Sequence, residues 1–410
     1  MRRLNVAALV AAVLCTLAPL ASGSDIDEIR ELRSQIELLS ERLRVLEARA
    51  GLASPSAATT AAPTAAAAAT DAAADPALDW ARQLSLKGDM RVRHERLERD
   101  GLPDRDRQRL RARVALTARA LETVDVTVGI ASGGDDPRSA NQTFGSSFSR
   151  KDVGLDLAYV DWHPTGTLNV YGGKMKYPGF KPAFTAFIDG DLNPEGLALS
   201  WHDENGLFAN AFSYWIEERA ANVDSMWFAG QVGWRGPLAD GINFAAAATY
   251  QDFANVQGQE PFYLGQSFGN TTTADGSLRY DYDLAQLAVE LGFLLGEAPM
   301  LISGEFGRNL AVDELDTAWS LGVLLGKASA PGTWEVGYAY GDLEKDALFA
   351  QVTESDFADG RTDSRGHHLR AGYAIAKNWT ANLQLYLNDL DVSGDTFGFD
   401  RVQLDLNFKY

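Results

Sequence analysis

The last ten residues, Arg401 to Tyr410, alternate without a break: Val402, Leu404, Leu406, Phe408 and Tyr410 on one side, Arg401, Gln403, Asp405, Asn407 and Lys409 on the other. Successive side chains of an extended strand point to opposite faces, so this stretch reads as a strand with one apolar and one polar face. If the apolar face meets lipid, neither strand edge can stay unpaired. The last strand must then close on the first, and every segment between must supply a strand of its own.

From Trp80 onward the period of two recurs. Sixteen candidate strands lie near 84–97, 107–120, 123–132, 153–163, 166–177, 196–203, 206–217, 225–235, 241–253, 283–295, 299–309, 316–327, 333–342, 367–376, 379–389 and 398–410. The segments near 196–203 and 299–309 are short or irregular, which leaves fourteen or eighteen strands open. Around Tyr171 the parity is also mixed, because Leu168 and Val170 share it with Lys174 and Lys176. Short connections alternate with long ones, among them 133–152, 178–195, 254–282 and 343–366. Outer-membrane barrels keep short turns on the periplasmic side and long loops outside. Trp162, Trp234, Trp334 and Trp379 fall at strand ends on the short-turn side, where an aromatic girdle belongs. The closing aromatic, Tyr410, is similar to the terminal signal of such barrels.

The expected fold is therefore all-β and transmembrane: an antiparallel outer-membrane β-barrel of about 16 strands, preceded by a short α-helical coiled coil. Residues 1–23 read as a secretory signal peptide. Arg2 and Arg3 precede the apolar run Leu4 to Leu17, and small residues allow cleavage after Ala21 or Gly23. Cys15, the only cysteine, would leave with it, so neither disulfides nor thiol chemistry are expected. In 24–50, Ile29, Leu32, Ile36, Leu39, Leu43 and Leu46 form a heptad seam that suits a periplasmic coiled coil; a lone amphipathic helix fits the same spacing. Residues 51–79, mostly Ala, Thr, Pro and Ser, form a linker that can bury no core, and 80–410 hold the barrel. Beyond the N-terminal segment no apolar run is long enough for a membrane helix.

Candidate functional residues follow from strand parity. Arg107, Arg109, Arg111 and Arg113 share one face of the second strand, about 7 Å apart. Facing lipid near the midplane, each would cost on the order of 2 to 4 kcal/mol, so they are expected to face the lumen with Arg91 and Arg93 of the first strand. Asp89 and Glu95 interrupt that basic wall. It could draw anionic solutes through a water-filled pore, or it could bind carboxylates of an inward loop and brace the barrel. Contacts with lipopolysaccharide at the outer rim are a third option. The connection 178–195 carries Lys181, Asp189 and Asp191. Folded inward, it would narrow the pore and set its acids opposite the arginines; otherwise it is a surface loop. The connection 254–282 reads as an exposed loop.

Other chemistry finds little support in the residues. A net charge of −19 argues against a nucleic-acid partner. His367 and His368 are adjacent, so they point to opposite faces and make a poor metal pair. Neither a Gly-rich phosphate loop nor a nucleophile elbow is present, so no catalytic residues, metal or cofactor are expected.

Four stretches in order carry a resemblance: Lys87-Gly88-Asp89-Met90-Arg91-Val92-Arg93, the arginine-rich second strand, Gly172-Gly173-Lys174-Met175-Lys176-Tyr177-Pro178 and Asp189-Gly190-Asp191-Leu192-Asn193-Pro194-Glu195-Gly196. They resemble the bacterial outer-membrane putative porin family with an N-terminal coiled coil, distantly similar to the phosphate-selective porins. The resemblance implies a diffusion channel for small hydrophilic solutes and ions, homotrimeric, set among outer-membrane lipids and lipopolysaccharide. Phosphate selectivity does not carry over, since no lumen site matches residue by residue. A reading from another class is a structural tether, in which the coiled coil contacts the cell wall and the barrel only anchors it.

Overall fold

A computed structural model describes residues 82–410. The signal peptide, coiled coil and linker expected for 1–79 lie outside them. The wall begins with β1 (Leu84–Arg99) and the hairpin of β2 (Arg105–Leu121) and β3 (Val124–Ser132). A two-residue strand, β4 (Gln142–Thr143), sits in the next connection and pairs with β2. Then come the hairpins β5 (Val153–Thr165) with β6 (Leu168–Lys174), β7 (Glu195–His202) with β8 (Leu207–Glu217), and β9 (Ser225–Ala239) with β10 (Ile242–Ala254). They are followed by β11 (Asp283–Leu295) with β12 (Ala298–Asn309), β13 (Thr317–Gly326) with β14 (Trp334–Leu343), and β15 (Ser364–Ala376) with β16 (Trp379–Leu390). The last strand is β17 (Phe397–Lys409).

All seventeen form one sheet. Setting β4 aside leaves the sixteen expected from the alternation, including the two uncertain segments, now β7 and β12. The sheet closes because β17 pairs antiparallel with β1, from Asp89 opposite Lys409 to Arg99 opposite Phe399. No edge remains, as a lipid environment demands. Hairpin turns gather at one rim and the longer connections at the other.

Parity decides burial. In β17, Leu404 and Leu406 are exposed at 43% and 52%, while Arg401, Gln403 and Asp405 between them are buried. The outward apolar band is flanked by aromatics: Trp162, Trp201, Trp334 and Trp379 are exposed towards the turn rim, Trp215 and Trp319 towards the loop rim. Trp234, also at the turn rim, is half-buried and donates its Nε1–H to the carbonyl of Asn205 at 2.8 Å.

Two expectations need correction. The strand around Tyr171 stops at Lys174 instead of running to 177, because the chain there leaves the wall for the lumen. The parity conflict resolves with it: Lys174 ends the strand on the outward parity, bound to Glu195 at 2.9 Å. The connection 255–282 is not a simple exposed loop. Val256, Leu278 and Tyr282 are buried inside the barrel, around Phe253 and Phe349. Asn270, also buried, donates to the carbonyls of Lys345 and Leu348, both at 2.9 Å. Its apolar residues have no other place to leave water, so the loop joins an interior core.

Candidate functional site

The connection 175–194 crosses the lumen, held from several walls. Phe180 donates its N–H to Gln231 on β9 (2.8 Å), and Ala183 donates to Glu290 on β11 (2.6 Å). Glu305 on β12 accepts from the Ala186 N–H (2.9 Å), the Thr185 hydroxyl (2.9 Å) and the Ser320 hydroxyl (3.0 Å). Between these anchors Phe184 lies in a slot left by glycines. A Cβ on Gly322 would stand 2.7 Å from the ring, and one on Gly337 2.5 Å from it, so only glycine lets the loop sit this close. Beyond the slot the chain reaches the basic wall through Asp191.

A second inward loop, 344–363, meets the first edge to edge. Asp189 donates its N–H to the Val352 carbonyl (2.9 Å), and Glu354 donates to that of Ala186 (3.2 Å). The 133–152 connection adds Arg138, whose guanidinium donates to the carbonyls of Ala350 (3.0 Å) and Gly360 (3.1 Å) over the Phe268 ring.

The six arginines singled out from parity stand on neighbouring strands in a register that would be unfavourable alone. Arg91 is directly opposite Arg111, and Arg93 opposite Arg109. Like charges across a strand pair repel, and carboxylates interleaved from four directions offset this. Asp89 binds Arg111 (2.9 Å) and Arg113 (2.8 Å). Glu95, fully buried, takes Arg107 (Nε at 2.6 Å) and Arg109 (3.6 Å). Asp405 takes Arg93 (2.7 Å), and Asp356 on the second inward loop takes both Arg93 (3.1 Å) and Arg401 (2.8 Å).

Breaking a buried charge network by removing one partner costs on the order of 3–5 kcal/mol. Glu95→Ala, which strips Arg107 and Arg109 of their carboxylate, is expected to lower barrel stability by about that much. Denaturant unfolding of the detergent-folded protein checks it; a loss below about 1 kcal/mol would mean that water already satisfies these arginines.

The three residues proposed for the constriction divide. Asp191 does not stand across the lumen from the arginines; it is bonded to them, at 3.1 Å from Arg111 and 2.9 Å from Arg113. Asp189, two residues earlier, turns away and is buried against the second loop, accepting the Ser355 N–H at 2.7 Å. A loop that must dock on a basic wall uses its nearest acid as the anchor, so Asp191 is bonded to the arginines it was expected to stand opposite. Lys181 gives its Nζ only to the Asp189 carbonyl, at 3.3 Å. Asp356, Arg138, Arg401, Asp405 and Arg370 were not singled out from the sequence. For Arg401 and Asp405 the inward parity of β17 was the available signal; for Asp356 and Arg138, both in aperiodic loops, there was none.

The four loop acids differ in state. Burial pushes Asp191 up, but Arg111 and Arg113 outweigh it and hold its carboxyl below the usual range. Asp356 is likewise buried, yet Arg93, Arg401 and Arg91 keep it well below. Asp189 and Glu354 lack such partners. Burial, then the charges of Glu354 and Asp191, raise Asp189 well above an ordinary aspartate; burial and the nearby Asp356 raise Glu354 to about 7.

Space remains beside the loops. A cavity of about 480 Å³ is lined by Arg91, Arg111, Lys181, Arg370, His368 and Tyr386, among others. A second, of about 530 Å³, is lined by Asn169, Tyr171, His202, Asn210 and Arg235, and Lys181 lines both. Cations line both cavities, Arg91, Arg111 and Arg370 the first and Arg235 the second, with Lys181 shared.

No curated protein matches the sequence. Among solved structures, the barrel is similar to OprB of Pseudomonas putida in its high-pH form, with a TM-score of 0.54 at 12% identity over 80% of this chain and 95% of that one. A mutant porin from Rhodopseudomonas blastica gives a TM-score of 0.47 at 12% identity, over 80% of this chain and 100% of that one. OmpT of Vibrio cholerae, in its trimer form, also gives 0.47, at 9% identity over 80% and 99%. At these identities the OprB likeness speaks for the fold alone. The family model described as "Putative porin" matches residues 99–281 and 280–410, well over half of the 410-residue chain. With a closed sixteen-stranded barrel around a loop-narrowed lumen, the chain belongs to this family of outer-membrane porin channels.

Proposed function

We propose that the protein is a diffusion channel for small hydrophilic solutes whose constriction favours anions. The observation that carries this reading is the charge around the cavity of about 480 Å³. Six cations line it: Arg91, Arg93, Arg111, Arg138, Lys181 and Arg370. The carboxylates there are four, Asp189, Asp191, Glu354 and Asp356, and two of these hold their protons more tightly than ordinary acids. An excess of positive charge in a narrow, low-dielectric passage raises the local concentration of anions.

The six arginines on β1 and β2 serve both roles weighed for them. Their pairing with Asp191 and Asp356 braces the inward loops, and what positive charge is left over faces the passage. Passage needs no chemical step, so neither a catalytic group nor a cofactor enters the mechanism. The exposed leucines and the aromatic ends of the outer face suit outer-membrane lipid and lipopolysaccharide, with the long loops outside the cell. A homotrimer is the assembly that family membership suggests. The tether reading would need the lumen to be closed, whereas two cavities of about 480 and 530 Å³ favour passage.

Liposome swelling tests the channel. Vesicles carrying the folded protein should swell in isosmotic small amino acids and organic acid salts, and faster for anionic solutes than for cationic ones of equal size. Swelling no faster than protein-free vesicles for every solute would overturn the channel and favour the tether.

A further inference from the structure

Most lumen cations are held by several short contacts to carboxylates or carbonyls, but three that face the same cavity have at most one carboxylate within 4.0 Å. Arg93 shows the usual case: Nε and Nη2 bind Asp405 at 2.7 and 2.9 Å, and Nη1 binds Asp356 at 3.1 Å. Arg91, two residues before it, makes one hydrogen bond, from Nη2 to the Asn141 side-chain oxygen at 2.8 Å. Its Nε is buried without an acceptor, and the nearest carboxylate, Asp405, is 4.0 Å from Nη1. Arg370 on β15 also has a buried Nε without an acceptor; its guanidinium lies over the Phe184 ring at 4.7 Å, with Glu335 at 3.3 Å from Nη2. Lys181 donates to a single carbonyl among the described residues, that of Asp189.

Arg138 and Arg401 also keep a buried Nε without an acceptor, so what sets Arg91, Lys181 and Arg370 apart is how few partners their outer N–H groups have around one opening. Three of the cavity's four acids are committed elsewhere; the fourth, Glu354, lies near Lys181 with its carboxyl raised to about 7. Asp191 and Asp356 are bound to other arginines, and Asp189 accepts backbone N–H groups of the loop junction. Guanidinium edges match the paired oxygens of a carboxylate or phosphate, and the volume of about 480 Å³ is that of a small-molecule site. Arg91 and Arg370 stand on β1 and β15, with β16 and β17 between them, and the register sets Arg370 level with Glu95, so their backbones are offset by three strand spacings across the sheet and by about 13 Å along it. Long side chains reaching inward from both leave a span for a short molecule rather than a single atom.

We propose that Arg91, Lys181 and Arg370 form an oxyanion-binding subsite in the constriction, which holds the carboxylate or phosphate groups of a small organic anion during passage. The subsite deepens the reading of the protein as an anion-favouring channel and rests on it. Its ligand class is narrower than that reading, because the parallel N–H groups of a guanidinium match the paired oxygens of an oxyanion better than a single chloride.

Single-channel current of the full chain in a planar bilayer tests the subsite, with succinate or inorganic phosphate added in the millimolar range at constant ionic strength. Either oxyanion is expected to at least halve the chloride current, and the more potent one identifies the preferred group. The variant R91Q/K181Q/R370Q should need at least tenfold more of it for the same fractional block of its own chloride current, which is itself expected to fall with three constriction cations gone. Calorimetric titration of succinate and phosphate into detergent-folded protein provides a readout independent of conduction, and circular dichroism shows whether the variant is folded. A conducting protein whose current neither oxyanion reduces, or a block unchanged in the folded variant, would overturn the subsite and leave the channel standing. A protein that does not conduct but binds an oxyanion through these three residues would overturn the channel and leave the subsite.

Discussion

Gly322→Leu is expected to open the channel. The strand pairing of β13 with β12 and β14 needs no side chain at this position, so the barrel should still form. The Phe184 ring cannot keep its place, because even a methyl group at 322 would stand 2.7 Å from it. Overpacking of this kind costs about 1–3 kcal/mol, comparable to the 1.5–3 kcal/mol that burying one phenylalanine contributes. The cheapest relief is for the segment around Phe184 to lift off the wall, while the Asp191 ion pairs and the buried Phe187, Ile188 and Leu192 hold the rest of the loop. Single-channel conductance should rise about twofold or more, with weaker anion preference as Lys181 leaves the passage. Gly337→Leu should act alike, through the far side of the same ring. An unchanged conductance in both folded variants would mean that the 175–194 loop does not limit the current.

The second large effect is one of pH. Glu354, half-buried at the loop junction, faces Asp189 and Asp191 from the first inward loop, Asp356 from its own, and Lys181. Its carboxyl is raised to about 7, so it is largely neutral at pH 6 and largely ionised at pH 8. Ionisation removes one net positive charge from the cavity it lines, and anion preference should fall across that interval. Stability runs the same way. A carboxyl whose pKa is raised on folding takes up its proton more readily in the folded state, so its contribution is greatest below the ordinary carboxylate range and is lost as pH rises from about 4.5 to 7. Glu354→Gln should keep the low-pH preference at pH 8. Reversal potentials at pH 6 and 8 decide it: a preference independent of pH in the parent, or one that still changes in E354Q, would remove Glu354 from the account.

The wall could be read from the sequence because lipid leaves a strand few choices. Leu404 and Leu406 cannot turn inward while Arg401 and Asp405 turn outward without a cost of several kcal/mol, so parity alone fixes which side chains meet the lumen. The same argument placed the β2 arginines inside. It could not say what they bind there, since Asp405 lies 312 residues from Arg93 and Asp356 lies 263. Within the loops no period exists to separate Asp189 from Asp191, and their roles differ because one meets guanidinium groups and the other backbone N–H groups. The interior position of 255–282 did have a signal. Val256, Phe262, Leu278 and Tyr282 are more apolar than a loop in water needs to be, but the Thr271 to Thr273 run beside them masked it. Arg370 shows the remaining limit: its inward parity was legible, and its place over the Phe184 ring was not.

The account stands or falls on a lumen that conducts and favours anions. The direct measurement is the zero-current potential of the purified full chain in a planar bilayer under a tenfold potassium chloride gradient at pH 6. The charge around the constriction predicts a potential of the sign set by chloride, with chloride permeability about threefold or more above that of potassium. A conducting protein with a potential near zero, or of the sign set by potassium, would contradict it.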